Sequence, residues 1–286
     1  MKILKSLDDL DGLYDAILCD AWGVIHNGIA AYEAATNVLS RTHERGVPVL
    51  ILTNAPRTYD QLSKHFQDMG IDPSIYDDII SSGEVGRDIL LMSDIRKCYH
   101  LGPKIDEELL NMLDFRIIAN PAEAEIIFNS GLSDNTVERS SDYQNLMETL
   151  YHSNLSMICV NPDKTVHVGL QERECAGKLA EIFENLGGKV TWVGKPYPHI
   201  YERSEAALGQ IRNRSIDTGR ILAIGDTLHT DIKGAAKRGY KTLFVTNGIH
   251  KNEICLGSNL EKNIQSLLNI FNIYDTYPDY IINYLC

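Results

Sequence analysis

Four short apolar runs, each stopped by polar residues or glycine, constrain this chain more than any other feature. Ala16 to Cys19 ends at Asp20, Val47 to Leu52 at Thr53-Asn54, Val190 to Val193 at Gly194-Lys195, and Ile221 to Ile224 at Gly225-Asp226. Helical patterns follow them. Thr58 to Met69 closes at Gly70, Ile200 to Leu208 comes after Lys195, and Asp231 to Arg238 closes at Gly239, glycine being the residue that best accepts the left-handed turn past a helix end. Strand-like runs alternating with helices predict parallel strands joined by crossover helices. In an open parallel sheet the strand C-termini share one edge and ligands bind in the crevice just outside it, so the four polar stops are expected to converge there.

A chain of 286 residues exceeds the usual size of one domain. Between residues 85 and 188 it carries further strand candidates, Cys98 to Leu101, Glu125 to Phe128 and Met157 to Val160, with at least two helical stretches, enough for a small domain. The expected fold is α/β: a Rossmann-like parallel sheet core with helices on both faces, built from residues 1–84 and 189–286, plus an inserted α/β domain at 85–188. A helix near Leu260 to Ile270 and the aromatic tail Tyr277 to Tyr284 are expected to pack on the core.

Lys and Arg total 27 against 39 Asp and Glu, a net charge of −12. Such a field repels nucleic acid backbones and anionic membranes, which leaves a small-molecule partner, no nucleic acid and no membrane. An anionic substrate would then need local cations or a metal to create a positive spot. The opening MKILKSLDDL is interrupted by Asp8 and Asp9 and does not read as a secretory signal. Nor is any apolar run long enough to span a bilayer. The six cysteines, Cys19, Cys98, Cys159, Cys175, Cys255 and Cys286, are scattered singly, as expected of reduced thiols in a cytoplasmic protein.

The stops themselves carry chemistry. Phosphoryl transfer needs a nucleophile in line with phosphorus and cations on the equatorial oxygens. Asp20 stands at a strand end before Gly23-Val24, where a tight turn would expose its carboxylate. Asp226 ends another strand, and Asp231 follows in GDTLHTD. Three carboxylates at one edge repel each other unless a divalent cation lies among them, and oxygen-only ligands suit Mg²⁺. Lys195 offers a point charge, and Thr53 and Asn54 offer donors, for phosphate oxygens. The plainer readings are that the aspartates cap helices or form turns, that Lys195 is a solvated surface lysine, and that Thr53-Asn54 is turn chemistry.

The segments ILCDAWGV, LILTNAP, VGKPYPHIYE and AIGDTLHTDIKGAAKRGY, in this order, resemble the four motifs of the haloacid dehalogenase superfamily. The large insertion between the second and third, with Asn161-Pro162-Asp163 late in it, is similar to the class IIA branch, which includes nitrophenyl-phosphate and pyridoxal-phosphate phosphatases. The resemblance covers nearly the whole chain. It implies a Mg²⁺-dependent phosphatase of a small phosphorylated metabolite, working through an aspartyl-phosphate on Asp20. By the same match, Thr53 binds the phosphoryl group with Asn54 beside it, and Lys195 restrains nucleophile and phosphate. Asp20, the backbone carbonyl of Trp22, Asp226 and Asp231 hold the metal, Asp231 directly or through water. The insertion is then a cap that selects the substrate, in part through Asn161 and Asp163, residues that equally well shape a cap turn. Caps in this branch often take part in dimers, so the resemblance allows a homodimer while the sequence leaves the oligomeric state open.

One position departs from the pattern. Most phosphatases of the superfamily carry a second aspartate two residues after the nucleophile, as general acid and then base. Trp22 stands there, and an indole exchanges no proton near neutral pH. General acid catalysis is typically worth roughly 10²- to 10⁴-fold, so its loss would slow alkyl esters while sparing good leaving groups. His26 is a candidate surrogate acid, against the plainer reading of a surface or cap-contacting histidine. Two further functions therefore stand beside the phosphatase: a phosphotransferase or hydrolase limited to good leaving groups, and a degenerate member that binds a ligand without turnover.

Overall fold

The protein is described from a computed structural model over residues 1–111, 115–168, 171–254 and 264–286. Cys255 and the expected helix start at Leu260 lie outside the described residues. In chain order the strands are β1 (Lys2–Ile3), β2 (Ala16–Asp20), β3 (Val49–Thr53), β4 (Asp78–Ser81), β5 (Lys97–Leu101), β6 (Arg116–Ile117), β7 (Ile126–Asn129), β8 (Met157–Cys159), β9 (Thr165–Val168), β10 (Gln171–Glu174), β11 (Val190–Trp192), β12 (Ile221–Gly225), β13 (Lys241–Val245) and β14 (Tyr280–Ile282). The chain divides into two compact units, Met1–Thr53 with Ser63–Ile80 and Tyr201–Cys286 in one, and Asn54–Leu62 with Ser81–Ile200 in the other.

The first unit is built on a seven-stranded sheet in the order β1-β14-β13-β12-β2-β3-β4. Its pairings from β1 through β3 are all parallel. Every residue of β2, β3 and β12 is buried, which is why these strands read as unbroken apolar runs and not as an alternation. From β2 the chain steps outward to β3 and β4, and from β12 it steps the other way to β13 and β14. The β2/β12 junction is thus the topological switch point, where crossovers leave to opposite faces and open a crevice at the strand C-termini. The helix Ile264–Tyr274 packs Leu267, Ile270 and Phe271 against Phe244, Leu228 and Ile281, as expected of the C-terminal region.

The second unit holds a five-stranded sheet, β11-β8-β7-β5-β6, and a two-stranded sheet, β9-β10. The five-stranded sheet is parallel throughout, and the pair β9-β10 is antiparallel. The helices Gln144–His152 and Ala176–Asn185 cover the larger sheet through Met147, Leu150, Leu179 and Phe183. The segment Val190 to Val193, expected among the strands of the core sheet, instead pairs with β8 here, Val190 opposite Met157 and Trp192 opposite Cys159. The break expected at residue 188 therefore falls one strand early, and the break at 85 is displaced to residue 81. The strand is only partly covered, with Thr191 exposed, and local pattern does not say which sheet a run joins.

No helix among the described residues is long and apolar enough to cross a membrane. Cys19, Cys98, Cys159 and Cys175 are buried free thiols, and burial pushes Cys98 up to about 12, which leaves it protonated and unreactive at neutral pH.

Candidate active site

The register of the first sheet assembles the site. Cys19 lies opposite Ile224 and Asp20 opposite Leu52, so Asp20, Thr53 and Asp226 leave three adjacent strands at one edge. Asp20, Thr53 and Asp226 are all buried, as is Asp231. Past Asp20 the chain turns sharply: the Gly23 N–H donates to the His26 carbonyl at 2.8 Å, and the Ile25 N–H to the Ala21 carbonyl at 2.9 Å. Gly23 has φ +81°, a conformation costly for residues with a Cβ. A Cβ there would also run into the Asp226 carboxylate.

Asp226 is fixed from two sides. Its Oδ1 accepts from the Thr227 hydroxyl at 3.0 Å and its Oδ2 from the Ile249 N–H at 2.8 Å. Asp231 was expected to open an α-helix and instead lies in a π-turn, Leu228–Ile232, ahead of the helix Lys233–Lys237. The Thr227 carbonyl accepts from both the Asp231 and the Ile232 N–H, at 3.0 and 3.2 Å. One extra residue in the turn is what a π-bulge adds, and such bulges frequently mark functional sites. Asp231 Oδ2 accepts from the Thr227 N–H at 3.0 Å.

Ligand oxygens of Asp20, Asp226 and Asp231 all lie within 4.8 Å of one another, and all three residues are buried. At that spacing two carboxylates repel by roughly 3 kcal/mol at an effective dielectric of about 20. A hard divalent cation among the three oxygens removes the conflict, and an all-oxygen donor set is what such a cation takes. The site therefore fits a divalent metal.

Trp22 and His26 form the outer side of the turn that follows Asp20. The indole covers Gly28, where a Cβ would strike the ring, and meets His26 edge to face with centroids 5.2 Å apart. His26 is 3% exposed, its Nδ1 accepts from the Gly28 N–H at 3.0 Å, and burial together with the nearby His65 lowers its pKa to about 4. A buried, neutral imidazole whose Nδ1 accepts from the backbone carries its proton on Nε2, where it is too weak an acid to protonate a leaving group efficiently at pH 7. The surrogate-acid reading of His26 fails on this ground.

The second unit gathers the other candidates. Lys195 is buried. Asn54 brackets its backbone, Oδ1 accepting from the Lys195 N–H at 2.7 Å and Nδ2 donating to the Lys195 carbonyl at 3.1 Å. The same Nδ2 donates to Asp163 Oδ1 at 2.9 Å. Both amide hydrogens of Asn54 are thus engaged inside the protein. The side chain expected to reach a phosphate oxygen instead ties Lys195 to the loop 161–163. Within that loop the Asp163 N–H donates to Asn161 Oδ1 at 3.2 Å, an Asx turn. Gly194 has φ +109°, and a Cβ there would crowd Asn54 Oδ1 and Pro162.

Sequence reasoning missed two contributors. Ser82 Oγ lies 2.7 Å from the Asn54 carbonyl and 2.5 Å from the Val160 carbonyl, and the signal for it was only a serine pair ending an apolar run. The other is the turn after β13, whose Thr246-Asn247-Gly248 stop resembles the four stops that were recognised.

The fold and site define an α/β enzyme with a buried carboxylate cluster at the switch point of a parallel sheet. A sequence profile described as haloacid dehalogenase-like hydrolase matches residues 17–116, and a second, HAD-hydrolase-like profile matches residues 192–266. A haloacid dehalogenase-like hydrolase from Brucella suis 1330 superposes with a TM-score of 0.86 at 34% identity, over 99% of this chain and 100% of that one. The ribonucleotide monophosphatase NagD of Escherichia coli K12 is 27% identical over 237 residues, 82% of this chain and 88% of that protein. The 5'-nucleotidase YutF of Bacillus subtilis is 22% identical, over 84% of this chain and 90% of that protein. The chain belongs to the haloacid dehalogenase-like hydrolases, in their class IIA branch. It is accordingly an enzyme, a hydrolase of the phosphatase type.

Proposed function

We propose that this protein is a Mg²⁺-dependent phosphoric monoester hydrolase acting on a small phosphorylated metabolite through a phosphorylated Asp20. The observation that carries the reading is the cluster of Asp20, Asp226 and Asp231, buried within 4.8 Å of one another at the switch point. In the first step an Asp20 oxygen attacks phosphorus, the bond from phosphorus to the ester oxygen breaks, and the departing oxygen takes a proton from water. In the second, water attacks the acyl phosphate, inorganic phosphate leaves and the Asp20 carboxylate is restored. The bound cation would neutralise charge on the phosphoryl oxygens.

Asp20, Asp226 and Asp231 would hold the cation, with the Trp22 carbonyl as a further ligand by the motif match. The same match assigns phosphoryl oxygens to Thr53 and Lys195, a substrate-facing place to the loop of Asn161 and Asp163, and a selecting role to the insertion. A small substrate agrees with the net charge of −12, which disfavours nucleic acid and anionic membranes. NagD and YutF act on ribonucleotide monophosphates and 5'-nucleotides by their names, both small phosphorylated molecules. A cytoplasmic location completes the reading, and the family resemblance allows a homodimer.

Trp22 together with the buried, neutral His26 favours a second reading at the same site: an enzyme confined to good leaving groups, or one that passes the phosphoryl group to another acceptor. A panel of phosphorylated metabolites and aryl phosphates, assayed with Mg²⁺ and with chelator, separates the readings. Metal-dependent release of phosphate is expected, abolished in Asp226→Ala. Trapping with beryllium fluoride should place the adduct on Asp20. Full turnover in excess chelator, or more than trace turnover by Asp20→Asn, would overturn the mechanism.

A further inference from the structure

The turn Gly248 to His250 touches both acidic arms of the site, through a pair of contacts that no motif of the nucleophile or metal carboxylates supplies. At its centre the Ile249 N–H donates to Asp226 Oδ2 at 2.8 Å. One residue on, His250 Nε2 accepts from the Leu228 N–H at 3.3 Å, and Leu228 opens the π-turn that carries Asp231. Accepting through Nε2 places the ring proton on Nδ1. His250 is 3% exposed and packs edge to face on Tyr274, centroids 4.9 Å apart. The ring of Tyr274 also stacks with His229 from within the π-turn, at 6.1 Å and 18°. Gly248 closes the turn against Asp226, for a Cβ there would strike the carboxylate.

The chemistry of this arrangement follows from the geometry. A carboxylate that accepts a backbone N–H is oriented, and its free lone pairs are aimed, by that bond. A π-turn leaves N–H groups without their usual helical acceptors, so an outside acceptor at Leu228 holds the turn in the one conformation that presents Asp231. Groups that orient metal-binding side chains typically matter 10- to 100-fold in metal affinity.

We propose that His250 is a positioning residue of the metal site: with the Ile249 N–H, it holds Asp226 and the π-turn of Asp231 in the geometry that binds the cation. The proposal rests on the metal reading above. It assigns a role to the loop after β13, which carries none of the ligands.

The test is Mn²⁺ binding to the full chain, measured by calorimetry and independent of turnover, in the wild type and in His250→Ala, His250→Gln, Gly248→Ala and Asp226→Asn. His250→Ala should raise the Mn²⁺ Kd by about tenfold. His250→Gln places an amide oxygen at the reach of Nε2 and should return the Kd to within about twofold of wild type, a rescue that loss of packing alone would not allow. Gly248 lies outside the left-handed region, so Gly248→Ala acts through Asp226 and should weaken binding by about tenfold or more. If His250→Ala does not fold, Gly248→Ala and His250→Gln decide the matter by the same thresholds. An unchanged Kd in His250→Ala or Gly248→Ala overturns the proposal, and so does a glutamine variant as weak as the alanine one. Unchanged binding in Asp226→Asn overturns the metal reading itself and this proposal with it, an outcome distinct from failure of the His250 variants alone.

Discussion

Replacing Trp22 with Asp tests the most unusual feature of the site. In the wild type the indole is seated over Gly28 and against His26 and has no proton to give. His26 offers no substitute: with its pKa lowered to about 4, about one ring in a thousand is protonated at pH 7, equivalent to about 4 kcal/mol for drawing on it as an acid. The wild-type rate should therefore depend steeply on leaving-group pKa, aryl phosphates being cleaved well and alkyl phosphates poorly. A carboxyl at position 22 should raise kcat/KM on alkyl esters by up to about 10²-fold, or about 2.7 kcal/mol of transition-state stabilisation, and change the aryl rate little. The half-buried ring also packs, so the variant should lose about 2 kcal/mol of stability, less than a fully buried aromatic would cost. The assay is kcat/KM over a series of aryl and alkyl phosphates at saturating Mg²⁺, with urea unfolding alongside. Trp22→Phe is the control: it keeps a ring, adds no acid, and should show no alkyl gain. Equal wild-type rates on aryl and alkyl esters would refute the premise, and a folded Trp22→Asp with no alkyl gain would refute the role of the missing carboxyl.

Three further outcomes are expected. Gly23→Ala combines a left-handed backbone with a clash at Asp226; it should cost at least about 1 to 2 kcal/mol in urea unfolding and lower kcat/KM by 10-fold or more on the order of the loss seen when metal-orienting groups are moved, and wild-type kinetics would show that the turn tolerates a Cβ. Asn54→Ala removes the hydrogen bonds to Lys195 and Asp163 and should destabilise by about 2 to 3 kcal/mol, with unchanged urea unfolding as the contrary result. His100, whose Nε2 lies 2.9 Å from Ser130 Oγ, has its pKa lowered to about 4 by burial. Its folded pKa lies below the unfolded value of about 6.5, so the unfolded chain takes the proton first. The stabilisation is complete above pH 6.5 and is lost as pH falls towards 4, up to about 3 kcal/mol. His100→Asn should flatten the pH dependence of the urea midpoint in that window, and parallel wild-type and variant curves would count against it.

The strand ends carrying Asp20, Thr53 and Asp226 were legible in the sequence because a strand buried on both faces must be apolar throughout. The first polar residue after such a run marks the sheet edge, and the ordered motifs assigned the family. Cys98 to Leu101 and Met157 to Val160 are runs of the same kind, and they lie in strands of the second unit's larger sheet. Local pattern did not distinguish one sheet from another: Val190 to Val193 was expected with β2 in the core sheet, yet its hydrogen-bond partner is β8. The antiparallel pair β9-β10 went unread because β10, Gln171-Glu-Arg-Glu174, is polar throughout and offers no apolar period.

Apolar and polar periodicity, turn residues and the order of motifs are properties of neighbours along the chain, and from them the sequence by itself determined the α/β class and singled out Asp20, Asp226 and Asp231, the carboxylates that the fold brings together. Tertiary structure alone decided what each polar group does with its hydrogens. Asn54 binds Lys195 and Asp163 across more than a hundred residues. His26 loses its proton to burial, and Asp226 is oriented by an amide 23 positions away. A hydrogen bond depends on distance and direction in space, and burial sets its strength; neither quantity is written in local sequence.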